Sequence, residues 1–520
     1  MHRLVVGFLV ILLVSCTDAP SVRRDTTVVY ASGADLQSIN PLLTVHPLAK
    51  AVQKHVLFLT LATYDSLFRP LPRLADWTWN ESATALTFSL RSDVYWHDGV
   101  QTTASDVVWT LGMAKQPTVA YPRARDVSGI VEIGALDSLT VMVTFRRPMP
   151  AFPDVFTDLP ILPAHRFGSV PPDSVRSHQF NRTPVGNGPF EFVEYRPNDR
   201  WVFERSAIFP VELGLPEIER FVITVVDEPA TKLAALTSGE LDFAGISPAH
   251  ASFVRANGSL YTIDYPVQFA HALVWNLRRQ PFEDVRVRRA LTMAIDRQLI
   301  IDAYVYGYGT LADGPVPPEH PWYTDVPEIP CDVGQASLLL DESGWVMGED
   351  GIRSKGSERL IVDLLTVGSG DLPLEQMVQA QLREVGVEIN IHQHELTSFL
   401  AIAQAEDRDF DALVIGIPGD LSLSHVAAMF AGGNPGPLAY PGYSNDRFDE
   451  LIEEADQADS ETKRRDAWQA ALRVLAEDVP TTWLYHARGL QGASRRITNA
   501  AVDFRGELAG ISRWRIRRDN

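Results

Sequence analysis

Strand-like and helix-like segments alternate along almost the whole chain, and no repeat, low-complexity tract or long flexible linker breaks the alternation. Residues 27–31 form a β-branched run closed by the turn-former Gly33, and 85–90, 140–145 and 218–226 read as strands by their pattern. Helices between them carry their own start and stop signals. An acidic cap before Pro229 opens a helix that Gly239 ends, and a strand resumes at 241–244. Farther on, Asp332 caps a helix that stops at Gly344. Strands at 360–365, 387–391 and 412–415 then alternate with helices at 374–385 and 399–405, and two helices follow at 448–458 and 462–476. This order predicts an α/β fold, and 520 residues exceed what one core serves, so two intimately joined lobes are expected.

The amino terminus places the chain outside the cytoplasm. Arg3 precedes an apolar run at 4–14 that ends in Leu13, Val14, Ser15 and Cys16, a secretory signal too short to span a membrane. That ending resembles the bacterial lipobox, which implies removal of residues 1–15, lipid on Cys16 and a polar tether over 16–26. An ordinary signal peptide that happens to contain a cysteine is the alternative. Outside the cytoplasm there is no pool of ATP or nicotinamide nucleotide and no nucleic acid partner. The net charge of −20 also suits nucleic acid and anionic lipid poorly. Beyond Cys16 only Cys331 remains, so neither an internal disulfide nor a cysteine-rich zinc site is available. No cofactor is implied.

Several motifs occur in a fixed order: LPRLADW at 71–77, LTFSLR at 86–91, VYWHDG at 94–99, TASDVVW at 103–109, PVGNGPF at 184–190 and PFEDVRVRRALTMAIDR at 281–297. Tyr443, Ser444 and Asn445, with Phe448 and Asp449, complete the series. Together they resemble the peptide-type solute-binding proteins of ABC importers, the extracellular solute-binding proteins of family five, over nearly the whole mature chain.

The motifs themselves are mostly scaffold. Asp284 stands at an N-cap, and Val287, Ala290, Leu291, Ala294 and Ile295 give one apolar helix face. Arg286, Arg288 and Arg289 are expected on a solvated or salt-bridged face. His97 and Asp98 lack an accompanying nucleophile motif, and Gly99 marks a turn. Gly186 and Gly188 precede a strand with no lysine after them, which excludes a phosphate loop. His392 and His394 share one strand face, the geometry of a metal pair, but alternating surface residues explain them as well.

The resemblance implies a periplasmic-binding-protein-like clamshell of the cluster C type, with an extra subdomain at about 61–187. Lobe one would take 27–270 and 487–520, and lobe two 271–486. It also implies capture of a peptide or similar small solute, delivery to permease subunits and no chemistry, so no catalytic residue is expected. In GIPGD at 416–420 the aspartate that meets a peptide's amino group is kept as Asp420, whereas Ile417 replaces the usual tryptophan and Leu423 and Ser424 replace Asp-Pro. Asp420 is therefore the expected ligand residue; capping of the next helix is the alternative. His425 in the same loop is a second contact by position. Trp275, Trp322, Tyr440 and Tyr443 are aromatic groups for the cleft or for packing. No basic residue lies at 360–382, which disfavours a dipeptide fixed at both ends by charge. A secreted hydrolase, or a receptor of this fold without a transporter, stays open.

Overall fold

The alternation closes into one mixed sheet. In the computed structural model the described residues are 24–36, 38–44, 46–149, 151–368, 370–432 and 436–517, so Cys16 and the signal segment lie outside them. The sheet has eleven strands. At one end Thr27–Ser32 lies between two parallel neighbours, Arg220–Val225 and Phe243–Gly245, and helix Pro229–Ser238 makes the crossover. Glu228 caps that helix by accepting from the Thr231 N–H, and Gly239 ends it with φ 78°. Arg200–Arg205 and Phe190–Arg196 continue the sheet outward.

The other end repeats the scheme. Ile361–Val367 runs parallel to both Glu388–His394 and Ala412–Pro418, with helices Pro373–Glu384 and Leu396–Ala403 as crossovers. Two long antiparallel strands, Leu260–Trp275 and Thr481–Ser494, join the ends. Their ladder runs from Leu260 opposite Ser494 to Val274 opposite Thr481, with irregularities between Pro266 and Ala270 and between His271 and Ala272.

Side-chain period builds a core on both faces of the second end. Ala272 and Val274 pack with Phe399, Leu413, Phe448 and Trp468 on one face. Leu273 and Trp275 pack with Leu291, Leu364 and Leu382 on the other, as a strand covered on both sides requires. The first end buries Val28, Phe221, Phe243 and Trp514 in a core that continues through Leu86, Phe88 and Val143. Those last three belong to a separate four-stranded antiparallel sheet in the order Ala75–Trp79, Ala85–Leu90, Thr140–Phe145, Ile130–Ala135.

The glycine turn at 186–188 is set by close approach. A Cβ on Gly186 would stand 2.0 Å from the Leu57 carbonyl oxygen, which accepts the N–H groups of Asn187 and Gly188. The arginine run on helix Val285–Met293 departs from the expected solvated face. Arg286 is exposed and pairs with Asp284 at 2.7 Å. Arg288 is only 5 % exposed and donates to the carbonyls of Phe282, Val479 and Asp478. The reason is the carboxyl end of helix Glu461–Asp478, where the last carbonyls have no donor of their own and draw a cation.

Candidate functional site

Among the described residues, several contacts carry one end of the molecule onto the other, Arg488 with Glu319 at 3.4 Å among them. Arg255 donates to the Tyr308 hydroxyl. Arg125 stands 3.9 Å from Asp456. His320 and Phe504 meet edge to face, with ring centroids 6.3 Å apart. Polar groups of both ends gather among these contacts.

The first wall is built around a buried carboxylate. Asp158 accepts from Lys50 at 2.7 Å and Lys54 at 3.0 Å, both on the helical turns at 47–57, and from Arg123. Burial opposes its charge, yet Lys54, Lys50 and Arg123 hold the Asp158 carboxyl well below the usual carboxylate range. Arg123 also pairs with Asp126 at 2.5 Å, and the Tyr64 hydroxyl donates to Asp154 at 2.5 Å. Burial pushes the Asp126 carboxyl up, and Asp154, Asp158 and Asp420 across the gap push the same way.

The second wall is the loop after strand Ala412–Pro418. Asp420 Oδ1 accepts from the Ser422 N–H at 3.0 Å, the Ser422 hydroxyl at 2.5 Å and the Ser424 N–H at 3.0 Å. Oδ2 accepts from the Ser424 hydroxyl and the His425 N–H, each at 3.0 Å. His425 Nδ1 lies 3.5 Å away. Burial raises the Asp420 carboxyl, but these hydrogen bonds outweigh it and hold the group well below its ordinary value. Asp420 thus accepts from the first two N–H groups of helix Ser424–Phe430, although Leu423 is its N-cap residue, and five donors of its own loop hold it ionised.

Sequence reasoning brings Asp420 and His425 together, and the loop does so. Trp275 is corrected. It is fully buried, its indole N–H donates to the Thr482 hydroxyl at 3.0 Å, and it stacks on Phe282, because its strand position points into the core. Tyr440 is 5 % exposed in the cluster of Leu423 and Phe430, and its carbonyl accepts from Arg278. Trp322 lies under the Arg464 guanidinium at 4.9 Å, and the Tyr443 hydroxyl donates to Asp478 at 2.6 Å. His392 pairs with Asp363 at 3.1 Å, and no group of three metal-ligating side chains occurs among the described residues. Residues that sequence reasoning missed are Arg123, Asp126, Asp154 and His320. Arg123 meets Asp158, Asp154 meets Tyr64 and His320 meets Phe504 from far along the chain, whereas Asp126 pairs with its near neighbour Arg123.

Two small pockets lie away from these walls, one lined by Asp313, Tyr323 and His486, the other by Arg297, Thr481 and Trp483. They share Asp313, and the Asp420 loop borders neither. The chemistry of the site therefore lies in the facing walls, which present fixed charges of both signs.

Comparison with known proteins identifies the family and the fold. The family of bacterial extracellular solute-binding proteins, family 5, matches residues 69–435. The oligopeptide-binding protein AppA of Bacillus subtilis is 24% identical over 84% of this chain and 81% of its own length. The dipeptide-binding protein of Escherichia coli is 24% identical over 95% of both. Among solved structures, Bacillus subtilis AppA in complex with a nonapeptide superposes with a TM-score of 0.78, at 23% identity, over 95% of this chain and 99% of that one. NikA from Brucella suis in complex with Fe(III)-EDTA gives 0.83 at 21% identity, over 95% and 100%. With its shared strands, its two separately packed ends and this match along most of its length, the chain belongs to the bacterial extracellular solute-binding proteins of family 5 and has their two-lobed α/β fold.

Proposed function

We propose that the chain captures a peptide between two lobes, residues 27–270 with 487–517 and residues 271–486, and hands it to the permease subunits of an ABC importer. A lipid on Cys16 keeps it at a membrane of the cell envelope. The observation that carries the peptide reading is the ionised Asp420, which faces Asp126 across the gap while Lys50, Lys54 and Arg123 are paired with Asp158 and Asp126. A peptide's ammonium matches these facing carboxylates, because a buried charge has to be met as water leaves. The nonapeptide and dipeptide relatives support the same class.

Hinge motion fits the joining strands, whose ladder loosens between Pro266 and Ala270 and between His271 and Ala272. Binding proceeds without turnover, since the one histidine–aspartate motif of the sequence is committed to scaffold. His97 Nε2 meets the Gly188 carbonyl, and Asp98 pairs with His165. The test is mass spectrometry of solute released when the purified protein is denatured. Intact peptides are expected. A metal chelate or an oligosaccharide in their place overturns the peptide reading, and peptide fragments produced on incubation overturn the binding-only reading.

A further inference from the structure

His320 sits where the two lobes meet, and its ring donor makes no well-formed hydrogen bond, with the Asp420 backbone carbonyl as the acceptor beside it. It lies in the loop between strand Gly309–Leu311 and helix Val333–Glu342, is 4 % exposed, and holds its ring between Trp322 and Phe504. Its Nδ1 accepts the Trp322 N–H at 3.1 Å, which leaves the proton of the neutral ring on Nε2. Nε2 is buried without a well-formed hydrogen bond. The Asp420 backbone carbonyl is near enough to favour the charged ring, but burial dominates and pushes the imidazole down to about 4, so the ring is neutral at ordinary pH. Buried donors are almost always satisfied, and an orphan one marks a place where another group belongs.

The opposite face is equally built. Phe504 is held from lobe one by edge contact with Phe68 at 5.5 Å. Its neighbour Arg505 donates to the Tyr64 carbonyl at 3.0 Å, and Glu507 accepts from Tyr265 at 2.9 Å and from Tyr30. Under the hinge motion proposed above, parting of the lobes would uncover the Phe504 ring on one side and the His320 N–H on the other, the latter beside Asp420.

We propose that His320 is a ligand-binding residue whose Nε2–H donates to a carbonyl oxygen of the bound peptide, next to the unit whose ammonium faces Asp420. This rests on the peptide reading above. It makes the second lobe read an ammonium and an acceptor oxygen together, a pair that a peptide presents and a simple amine does not.

The test uses affinity selection with a library of tripeptides to hexapeptides bearing free amino termini, with retained peptides quantified by mass spectrometry and their affinities measured by calorimetry. His320→Phe keeps a ring against Phe504 and removes the donor; His320→Gln restores an N–H near Nε2. Affinity for the retained peptides should fall about fivefold to tenfold in His320→Phe, the ratio one neutral hydrogen bond is worth, and recover to within about threefold in His320→Gln. Thermal unfolding of the unliganded proteins reports whether either variant is folded. Equal affinity of wild type and His320→Phe overturns the proposal and leaves the peptide reading intact. A loss in His320→Phe that His320→Gln fails to recover overturns it in favour of packing. Retention of no peptide by the wild type removes the peptide reading and this inference with it.

Discussion

Asp420 combines a structural duty with an electrostatic one, and pH separates them. Its carboxylate caps helix Ser424–Phe430 through the N–H groups of Ser424 and His425. Asp420→Ala should lower the unfolding free energy at pH 7 by about 1–2 kcal/mol, as loss of a helix cap does. The folded carboxyl titrates below its unfolded value of about 3.9, so its contribution is present above that pH and fades as pH falls beneath it. Urea midpoints of wild type and variant should differ fully at pH 7, and the gap should shrink progressively as pH falls from about 4 towards about 2; a gap that does not shrink at all over that range assigns the effect to packing. Asp420 was singled out by the resemblance of 416–420 to a family motif, and its helix-capping alternative by the helix that follows. His320 was not, since its importance lies in Phe504, far along the chain, and in an atom without a well-formed hydrogen bond. Trp275 misled for a related reason. An aromatic residue near a crossover suits a cleft and a core equally, and only the strand's facing decides.

Elements whose signals are local were readable, and those whose partners are remote were not. Asp284 and Asp332 cap their helices through N–H groups two and three residues on, so sequence alone locates those starts. Leu260–Trp275 and Thr481–Ser494 pair across more than two hundred residues and carry Pro266 and Gly489, which read as breakers. Gly489 is needed because the Tyr265 ring lies across it; a Cβ there would stand 2.2 Å from that ring. Arg288 gives the element scale its sharpest test. Arg288→Met leaves the carbonyls of Phe282, Asp478 and Val479 without their buried donor and should cost about 3 kcal/mol in urea denaturation. Arg286→Met, on the exposed face of the same helix, should stay within about 0.5 kcal/mol of wild type. Equal losses would mean that the helix end is satisfied in some other way.

For the whole molecule, the balance of open and closed forms is the measurable quantity. Arg125 and Asp456 face each other from different lobes with side chains 60% and 47% exposed, a pair worth at most about 1 kcal/mol. Arg125→Glu should shift the unliganded protein toward the open form by up to about fivefold at low salt. The shift should vanish at about 1 M salt, where screening acts within 3 Å. Adding Asp456→Arg should restore the original balance. Exposed Cys331 offers one attachment point for a fluorescence pair that follows it. Anchoring is tested separately: Cys16→Ser should leave a folded protein that no longer sediments with membranes, and continued sedimentation after normal processing would remove the lipid assignment.

The first strand also decides how the molecule bears tension. Thr27–Ser32 lies between parallel neighbours on both sides, in register with Arg220–Val225 over its full length. A pull applied at residue 24 runs along the strand axis and loads those ladders in shear, so their hydrogen bonds yield together and not one after another. A chain held by its amino terminus in flowing fluid is gripped by the part of the sheet least able to unzip.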